Sequence, residues 1–493
     1  MKTIAHRVSI AALALSVLAA AAPARAQQPA AQDRKSALEA RLAAAIAPAG
    51  GLTADEVASR AAATSFDVQA RHAEVEAAAA AVDQAIINFF PRITLTGRYL
   101  RLSPIADATL GTLVSPAGVD ATKPTPLPPN AQLVAVPFTI PSLSNQTTLQ
   151  ASVTVPVSDY VLRLAQGYAA ASRSVKAAEL NERAAKLKAS LDGRVAYYTW
   201  ARARLSAVVA QQSLEQAKAH LADVRHAYEA GAASKADVMR VEAQVAAGEL
   251  LAQRATGFAR TTEESVRTAM HDASAPNALA LGEDLRAPLA PLGSARDTAA
   301  LWSEALAARL EIRALDETAW SLKDQAKIAR AGYFPRIDAL GQVAYNNPEQ
   351  RVFPPTQEFR ATWAVGGQVT WTLNDIGVAN AQARQLDARK AQIEAQKAQL
   401  ADGLRNEVTQ AAQALEDAEV AIVTSERALA AADESYRARR ELFQNGRATS
   451  VELTDAETEL FRASLDVVNA RVDLRIARAR LLHATGRDVA SLR

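Results

Sequence analysis

Phe90-Pro91-Arg92-Ile93 recurs as Phe334-Pro335-Arg336-Ile337, 244 positions further along the chain. Each copy ends an Ala-rich stretch and opens a segment of alternating polar and apolar residues. A second matching pair, Val153-Thr154 and Val369-Thr370, lies 216 positions apart. Because self-similarity at a long offset is typical of stacked or pseudo-symmetric units, we predict one duplicated architecture. Each half is expected to have the order helix, strand, strand, long helix, helix.

The expected organisation has four parts. We predict a signal peptide at 1–26, a first repeat at 27–274, an inter-repeat linker at 275–293 and a second repeat at 294–493. The linker contains several prolines, and it separates the helix-forming stretches that precede and follow it.

The first segment has the three regions of a secretory signal. Lys2 and Arg7 precede an apolar run from Val8 to Ala22, and the small residues Ala24 and Ala26 follow it. The run is shorter than the ~20 apolar residues that a spanning helix needs. We therefore expect export across the inner membrane. The chain has no cysteine, so we do not expect a lipoprotein.

Charge and composition exclude several classes of protein. Removal of the expected signal takes the basic residues from 55 to 52, against 53 acidic ones, so no nucleic-acid partner is expected. The absence of cysteine excludes disulfides and thiolate chemistry. The six histidines have no metal-ligand spacing, and we find no nucleophile elbow or phosphate loop. The sequence therefore predicts no cofactor, no metal site and no enzyme.

Four segments alternate with the period of a β-strand, at about 92–101, 147–158, 336–345 and 359–373. Each has about the length that a tilted transmembrane strand needs, with lipid on one side and water on the other. Single-chain barrels begin at about eight strands, and an open sheet edge cannot face lipid. Four strands per chain therefore predict a barrel shared among several copies.

A soluble pair of hairpins is the alternative for these strands. It would require short turns, whereas residues 102–146 form a long connection that includes the Pro-rich stretch Lys123–Pro129. We expect this connection to be an exposed loop.

Two long helices are predicted, from about 159 to 231 and from about 375 to 446, because both stretches are rich in strong helix formers. About 70 helical residues would reach ~100 Å, far more than a bilayer core. Both stretches end at a glycine, Gly231 or Gly446, and three residues later a capping box begins. The sequence therefore predicts a tight helical hairpin at each site.

The duplicated Phe-Pro-Arg-Ile stretch and the Tyr/Phe-x-x-Gly turns resemble the TolC-like outer membrane efflux proteins over nearly the whole chain. The resemblance implies a mainly α fold with a membrane β-barrel: a homotrimer whose twelve strands, four per chain, close one barrel continued by a long α-helical barrel. It also implies contact with outer-membrane lipid, a periplasmic adaptor (membrane fusion) protein and an inner-membrane pump.

The resemblance also assigns roles to residues near the hairpin turns. The adaptor-docking turns fall on Tyr228, Gly231, Phe443 and Gly446. The resemblance further implies an acidic aperture that would favour cations. Its candidate residues are the carboxylates Asp237, Glu452 and Asp455 and the nearby Arg447. Some relatives place an arginine two positions after the second glycine, where this chain has Ala448, although Arg447 is adjacent. The resemblance therefore does not extend to a specific salt bridge that locks the aperture. The acids at 237 and 452 also occupy capping positions, where they could simply stabilise a helix start.

The sequence therefore predicts a passive exit duct in the cell outer membrane, extending into the periplasm, for a tripartite efflux pump or a type I secretion system. A periplasmic coiled-coil scaffold without channel activity is the main alternative. It would explain the helices but not the strands. A secreted enzyme would need a convergent polar site, and an adaptor would have one hairpin rather than two.

Overall fold

The computed structural model of the protein describes residues 37–46, 50–117, 129–130, 132–271, 279–287, 289, 297–353 and 355–488. The expected signal peptide lies outside the described residues, as do most of the Pro-rich stretch and part of the expected inter-repeat linker.

Helices make up most of the described chain. They are α1 (Ala37–Ala44), α2 (Ala54–Thr64), α3 (Phe66–Ile87), α4 (Ala165–Glu229), α5 (Lys235–Met270), α6 (Thr298–Ala308), α7 (Leu310–Arg330), α8 (Leu373–Gln444) and α9 (Ser450–Ala484). With 65 and 72 residues, α4 and α8 each extend roughly 100 Å. The prediction of two long helices is thus confirmed. Among the described helices, none combines the length and the apolar character that crossing a membrane requires.

The strands are β1 (Arg92–Arg101), β2 (Ala108–Pro116), β3 (Leu133–Ile140), β4 (Asn145–Val155), β5 (Arg336–Asn347) and β6 (Arg360–Thr370). Four of them form an antiparallel sheet in the order β1-β4-β5-β6. The pairing of β4 with β5 joins the two strands of the first half to the two of the second. Both halves are therefore needed to build this sheet.

The prediction that residues 102–146 form only a loop was wrong. This segment contains the antiparallel hairpin of β2 and β3, which forms a separate two-stranded sheet. Its register shifts between Thr109 and Thr112, around Gly111 at a φ of 120°. Pro137 lies within β3. Glycine and proline inside a strand weaken the sequence pattern by which strands are predicted, and this explains the error.

The ends of three strands also differ from the prediction. β4 ends at Val155 rather than 158, because Pro156 has no N–H with which to continue the ladder. β6 ends at Thr370 rather than 373, because α8 already begins at Leu373. β5 extends to Asn347, two residues further than predicted.

Sheet and helices form one continuous layer. β1 follows α3, β4 leads into α4, β5 follows α7 and β6 leads into α8. Below the sheet, neighbouring helices pack in the order α3-α4-α7-α8, which repeats the strand order; further along, the order is α5-α4-α9-α8. Within the described residues, the layer therefore has two free edges. One is formed by β1, α3 and α5, and the other by β6 and α8.

The main core lies where α4, α8 and α9 pack beside α2 and the end of α5. Tyr197 and Trp200 are fully buried there, with ring centroids 5.8 Å apart and nearly perpendicular planes. Leu281, from the segment between the halves, makes bridges to Ile46 and Leu52 and joins the same core. This segment therefore holds the N-terminal helices against the long helices.

Candidate functional site

The two hairpin turns have matching hydrogen bonds. Gly231 and Gly446 adopt φ values of 75° and 68°, a conformation that side chains with a Cβ disfavour. In the first turn the Ala232 N–H donates to the Ala227 carbonyl at 2.7 Å. In the second turn the backbone N–H one residue after the glycine donates to the Leu442 carbonyl at 2.8 Å. These bonds, from one residue to the fifth before it, are those of a Schellman motif. The predicted sharp turns are confirmed.

Capping boxes begin the helix after each turn, as predicted. The Asp237 N–H donates to the Ser234 hydroxyl at 3.2 Å, and the Ser234 N–H donates to the Asp237 carboxylate at 3.1 Å. The Thr449 N–H donates to the Glu452 carboxylate at 2.8 Å. Hydrogen bonds from Ser234 hold the pKa of Asp237 below its ordinary value, and those from Thr449, chiefly its backbone N–H, do the same for Glu452. Both carboxylates therefore stabilise a helix start.

Asp455 and Arg447 are placed differently from the capping acids. Both side chains are exposed, and within the described residues neither makes a hydrogen bond or an ion pair. Asp237, by contrast, pairs with Arg240 at 3.3 Å. No hydrogen bond or ion pair of the described chain joins Asp237 to Glu452 or to Asp455. Among the three acidic aperture candidates, Asp455 is therefore the one whose carboxylate takes no part in a capping box.

The two aromatic positions at the turns are not equivalent. Tyr228 is 47% exposed. Phe443 is partly buried and packs against Val224 and Val241, which lie on the other hairpin. Its ring also meets that of His220 edge to face, with centroids 5.4 Å apart. Phe443 therefore joins the hairpins to each other, whereas the ring of Tyr228 is available to a partner.

A buried polar cluster above the turns was missed by sequence reasoning. Nδ1 of His220 in α4 lies 3.1 Å from Oε2 of Glu457 in α9, and its Nε2 lies 3.3 Å from the Ser450 hydroxyl. The same Glu457 oxygen accepts a hydrogen bond from Gln244 in α5 at 3.1 Å. We call these four residues the His220 cluster. The available signal was a charged residue, Glu457, between core positions of an apolar helix stripe.

The four-stranded sheet has two chemically different faces. Leu95, Ala151, Val343 and Trp363 share one register row, with Leu95 and Trp363 79% and 72% exposed. The adjacent row, on the opposite face, consists of one alanine and three polar residues: Thr96, Gln150, Ala344 and Thr362. Large exposed apolar side chains continue along the first face: Ile93, Tyr99, Leu149, Val153, Tyr345, Val365 and Val369. One face thus suits lipid and the other suits water.

No group of three or more His, Asp or Glu side chains in the described part of the chain is arranged to hold a metal ion. Each half contributes two strands to the sheet with one apolar face, and one sharp helical turn at the far end of its long helix. These are features of a conduit rather than of a catalytic pocket.

The chain belongs to the outer membrane efflux protein family, whose sequence model matches residues 57–270 and 301–487. It is thus an outer membrane channel protein and not an enzyme, and the resemblance inferred from the sequence is confirmed. No curated protein sequence matches the chain.

Solved structures of outer membrane channels have the same fold. The open-state channel MtrE of Neisseria gonorrhoeae superposes with a TM-score of 0.68 at 18% identity, covering 88% of each chain. VceC of Vibrio cholerae gives 0.67 at 17% identity, covering 88% of this chain and 96% of VceC. CmeC of Campylobacter jejuni gives 0.68 at 13% identity, covering 88% of each chain.

Proposed function

We propose that three copies of this chain form the outer-membrane exit duct of a tripartite efflux pump or a type I secretion system. The observation that carries this proposal is the single continuous layer. The strand order β1-β4-β5-β6 continues into helices packed in the same order, and both edges of the layer are free. Such a layer closes on itself only by joining edge to edge with further copies.

Chemistry at the free edges supports closure. Among the residues that the structure describes, the outer edges of β1 and β6 have no strand neighbour for their backbone N–H and C=O groups, and hydrocarbon does not tolerate unpaired groups of this kind. The edge helices carry exposed apolar side chains, with Leu250 and Phe258 on α5 and Val420 and Val423 on α8. Joining the α5 edge of one copy to the α8 edge of the next would bury these side chains. Four strands from each of three copies would then give one twelve-stranded barrel, and the helices would continue it as a tunnel through the periplasm.

The duct would be passive, because the energy would come from an inner-membrane pump. A periplasmic adaptor would dock at the turns of Gly231 and Gly446, where the exposed ring of Tyr228 offers it an apolar contact. Phe443 would take part indirectly, since it packs between the hairpins. We also propose that residues 1–26 direct export and that 27–274 and 294–493 are the two repeats.

The experiment for this function is planar-bilayer conductance of the signal-cleaved protein, together with its oligomer mass in detergent. A trimer that gives discrete channels is expected. A monomer without conductance would contradict the proposal and favour the periplasmic scaffold. A change in the gel migration of the trimer on heating would also support the proposal, because such a change is characteristic of a folded membrane barrel.

An acidic aperture is the second part of the proposal, and it depends mainly on Asp455. Three copies of this exposed carboxylate around one axis would favour cations. Asp455→Asn should therefore lower the cation preference of the channel. Glu249→Gln, which removes an exposed acid of α5 paired with Lys218, is the matched control and should leave the preference unchanged. Equal selectivity of parent and Asp455→Asn channels would refute the aperture.

A further inference from the structure

The side of the four-stranded sheet that suits water is rich in arginine. This side consists of the even-numbered strand residues, with Thr96 and Thr362 among them. Its basic residues are Arg92, Arg98, Arg336 and Arg360. Within the four described strands of this sheet, the one acidic residue is Asp338 on β5. The water-facing side therefore carries more positive than negative charge.

Two of these arginines have a carboxylate beside them. Nε of Arg336 lies 2.9 Å from Oδ1 of Asp338 and 3.5 Å from Oδ2 of Asp159. Nη2 of Arg360 lies 3.1 Å from Oε2 of Glu358, which precedes β6. All these partners belong to the same copy of the chain, so the pairs do not depend on closure of a barrel. Arg336 and Arg360 therefore add little net charge to the wall.

A further carboxylate, Glu349, lies in the connection between β5 and β6 and is 4% exposed. It accepts hydrogen bonds from the Asn346 side chain at 3.0 Å and from the backbone N–H of Arg351 at 3.3 Å. The guanidinium of Arg351 supplies one positive charge for this negative one, only two residues away in the chain. This end of the sheet therefore gains no net negative charge from the connection.

Arg92 and Arg98 are the arginines of the water-facing side that have no acidic neighbour. Both are exposed, and within the described residues neither makes a hydrogen bond or an ion pair. They are six residues apart on β1, so their Cα atoms are separated by ~20 Å along the strand. In a closed barrel, β1 would lie beside β6 of the next copy, and the residues of β6 include no acid. Closure by that strand would therefore leave both charges uncompensated.

We propose that the lumen of the β-barrel favours anionic cargo and repels cationic solutes, through the free charges of Arg92 and Arg98. This inference rests on the proposed channel function and names the class of substrate. Three copies would place two such arginines each, six in all, along the lumen. Basic side chains that line a pore select anions, and low-dielectric walls strengthen their field. The carboxylates of Asp455 lie at the opposite end of the duct, so the two charges act at separate points.

Reversal potentials of single channels in a KCl gradient test the proposal. Arg92→Gln combined with Arg98→Gln removes both charges, and we expect the permeability ratio of chloride to potassium to fall at least about threefold. Arg101→Gln is the matched control. Arg101 is exposed on the same strand, but its odd number places it on the opposite side. The control should keep the parent ratio.

A chemical measurement makes the test independent of conductance. The chain has no cysteine, so Thr96→Cys introduces the only thiol per copy, at an exposed position between the two arginines. Two methanethiosulfonates of similar size, one with a sulfonate and one with a trimethylammonium group, each form a disulfide with this thiol and release methanesulfinate. Any change in thiol reactivity affects both reagents equally, so the ratio of their rates reports the local potential.

We expect the anionic reagent to be favoured about fivefold in detergent-purified trimers, relative to the same ratio for free mercaptoethanol. The double glutamine variant should lose this preference, and so should the parent in about 1 M salt, where charges are screened over ~3 Å. Arg92→Lys combined with Arg98→Lys keeps both charges and should retain it.

The outcomes separate this inference from the channel itself. Equal reagent ratios in folded trimers with and without the two arginines would overturn the inference, even when the parent protein conducts. Loss of the preference in the lysine variant, or an equal loss in Arg101→Gln, would overturn it as well. A preference for the anionic reagent in a parent trimer that does not conduct would support the positive lumen and reject the duct.

Discussion

Arg475 offers a sharp test of how the segment between the two halves is attached. Its side chain is 3% exposed and pairs with Glu283 at 3.0 Å. It also donates to the carbonyls of Asp284 and Ala287, both at 3.1 Å. One side chain of α9 thus makes three of the contacts that hold residues 279–287 on the long helices.

Arg475→Ala should release this segment without unfolding the long helices. Loss of one partner from a buried charged pair costs about 3–5 kcal/mol, and we expect the lower end because the Glu283 side chain is 25% exposed. About 3 kcal/mol corresponds to local opening more than about 100 times as frequent. Arg475→Lys keeps the charge but loses the planar set of donors, so it should cost about 1–2 kcal/mol.

Hydrogen exchange of the peptide covering 279–287 measures this opening. Arg475→Ala should accelerate exchange there by about two orders of magnitude, and Arg475→Lys should accelerate it by about one. The control is Arg480→Ala, which removes an exposed arginine of the same helix. Exchange in 279–287 at the parent rate in Arg475→Ala would refute the reasoning. So would equal acceleration across the whole of α9.

Four further predictions concern the turns, the sheet and the core. Gly446→Ala should destabilise the second turn by about 1–2 kcal/mol, and Gly446→Asn by less, as measured by local hydrogen exchange; the penalty comes from the backbone alone, because an added Cβ would meet no atom within 4 Å. Val365→Arg on the apolar face of β6 should cost about 2–4 kcal/mol and reduce outer-membrane assembly, whereas Ala364→Arg on the opposite face should assemble like the parent. Trp200→Ala should cost about 3–5 kcal/mol, seen as a lower melting temperature, because the ring is fully buried; an unchanged melting temperature would contradict its place in the core. The pKa of Glu452 is lowered in the folded chain, so its cap should be fully effective above the ordinary carboxyl range and be lost as the pH falls through the lowered pKa. Hydrogen exchange in the first turn of α9, corrected for intrinsic rates, should therefore rise only as the pH falls through that pKa. Glu452→Ala should remove this pH dependence.

Local patterns in the sequence predicted much of this fold. The sharp turns at Gly231 and Gly446 and the capping boxes after them depend on a few neighbouring residues, and the structure has them as predicted. The alternation of strands β1, β4, β5 and β6 is also local, because successive side chains of a strand point to opposite faces. The errors at strand ends arose where Pro156 and the start of α8 end the ladder.

Only the tertiary structure decided which residues meet across the chain. His220 and Glu457 are 237 positions apart, and no local sequence pattern around either residue predicts their contact. The equivalent turn positions Tyr228 and Phe443 look alike in the sequence, yet one ring is exposed and the other is partly buried between the hairpins. Helix period and turn chemistry are set by interactions over a few residues. Burial and pairing, in contrast, depend on how long helices from the two halves pack, and this packing exists only in the folded layer.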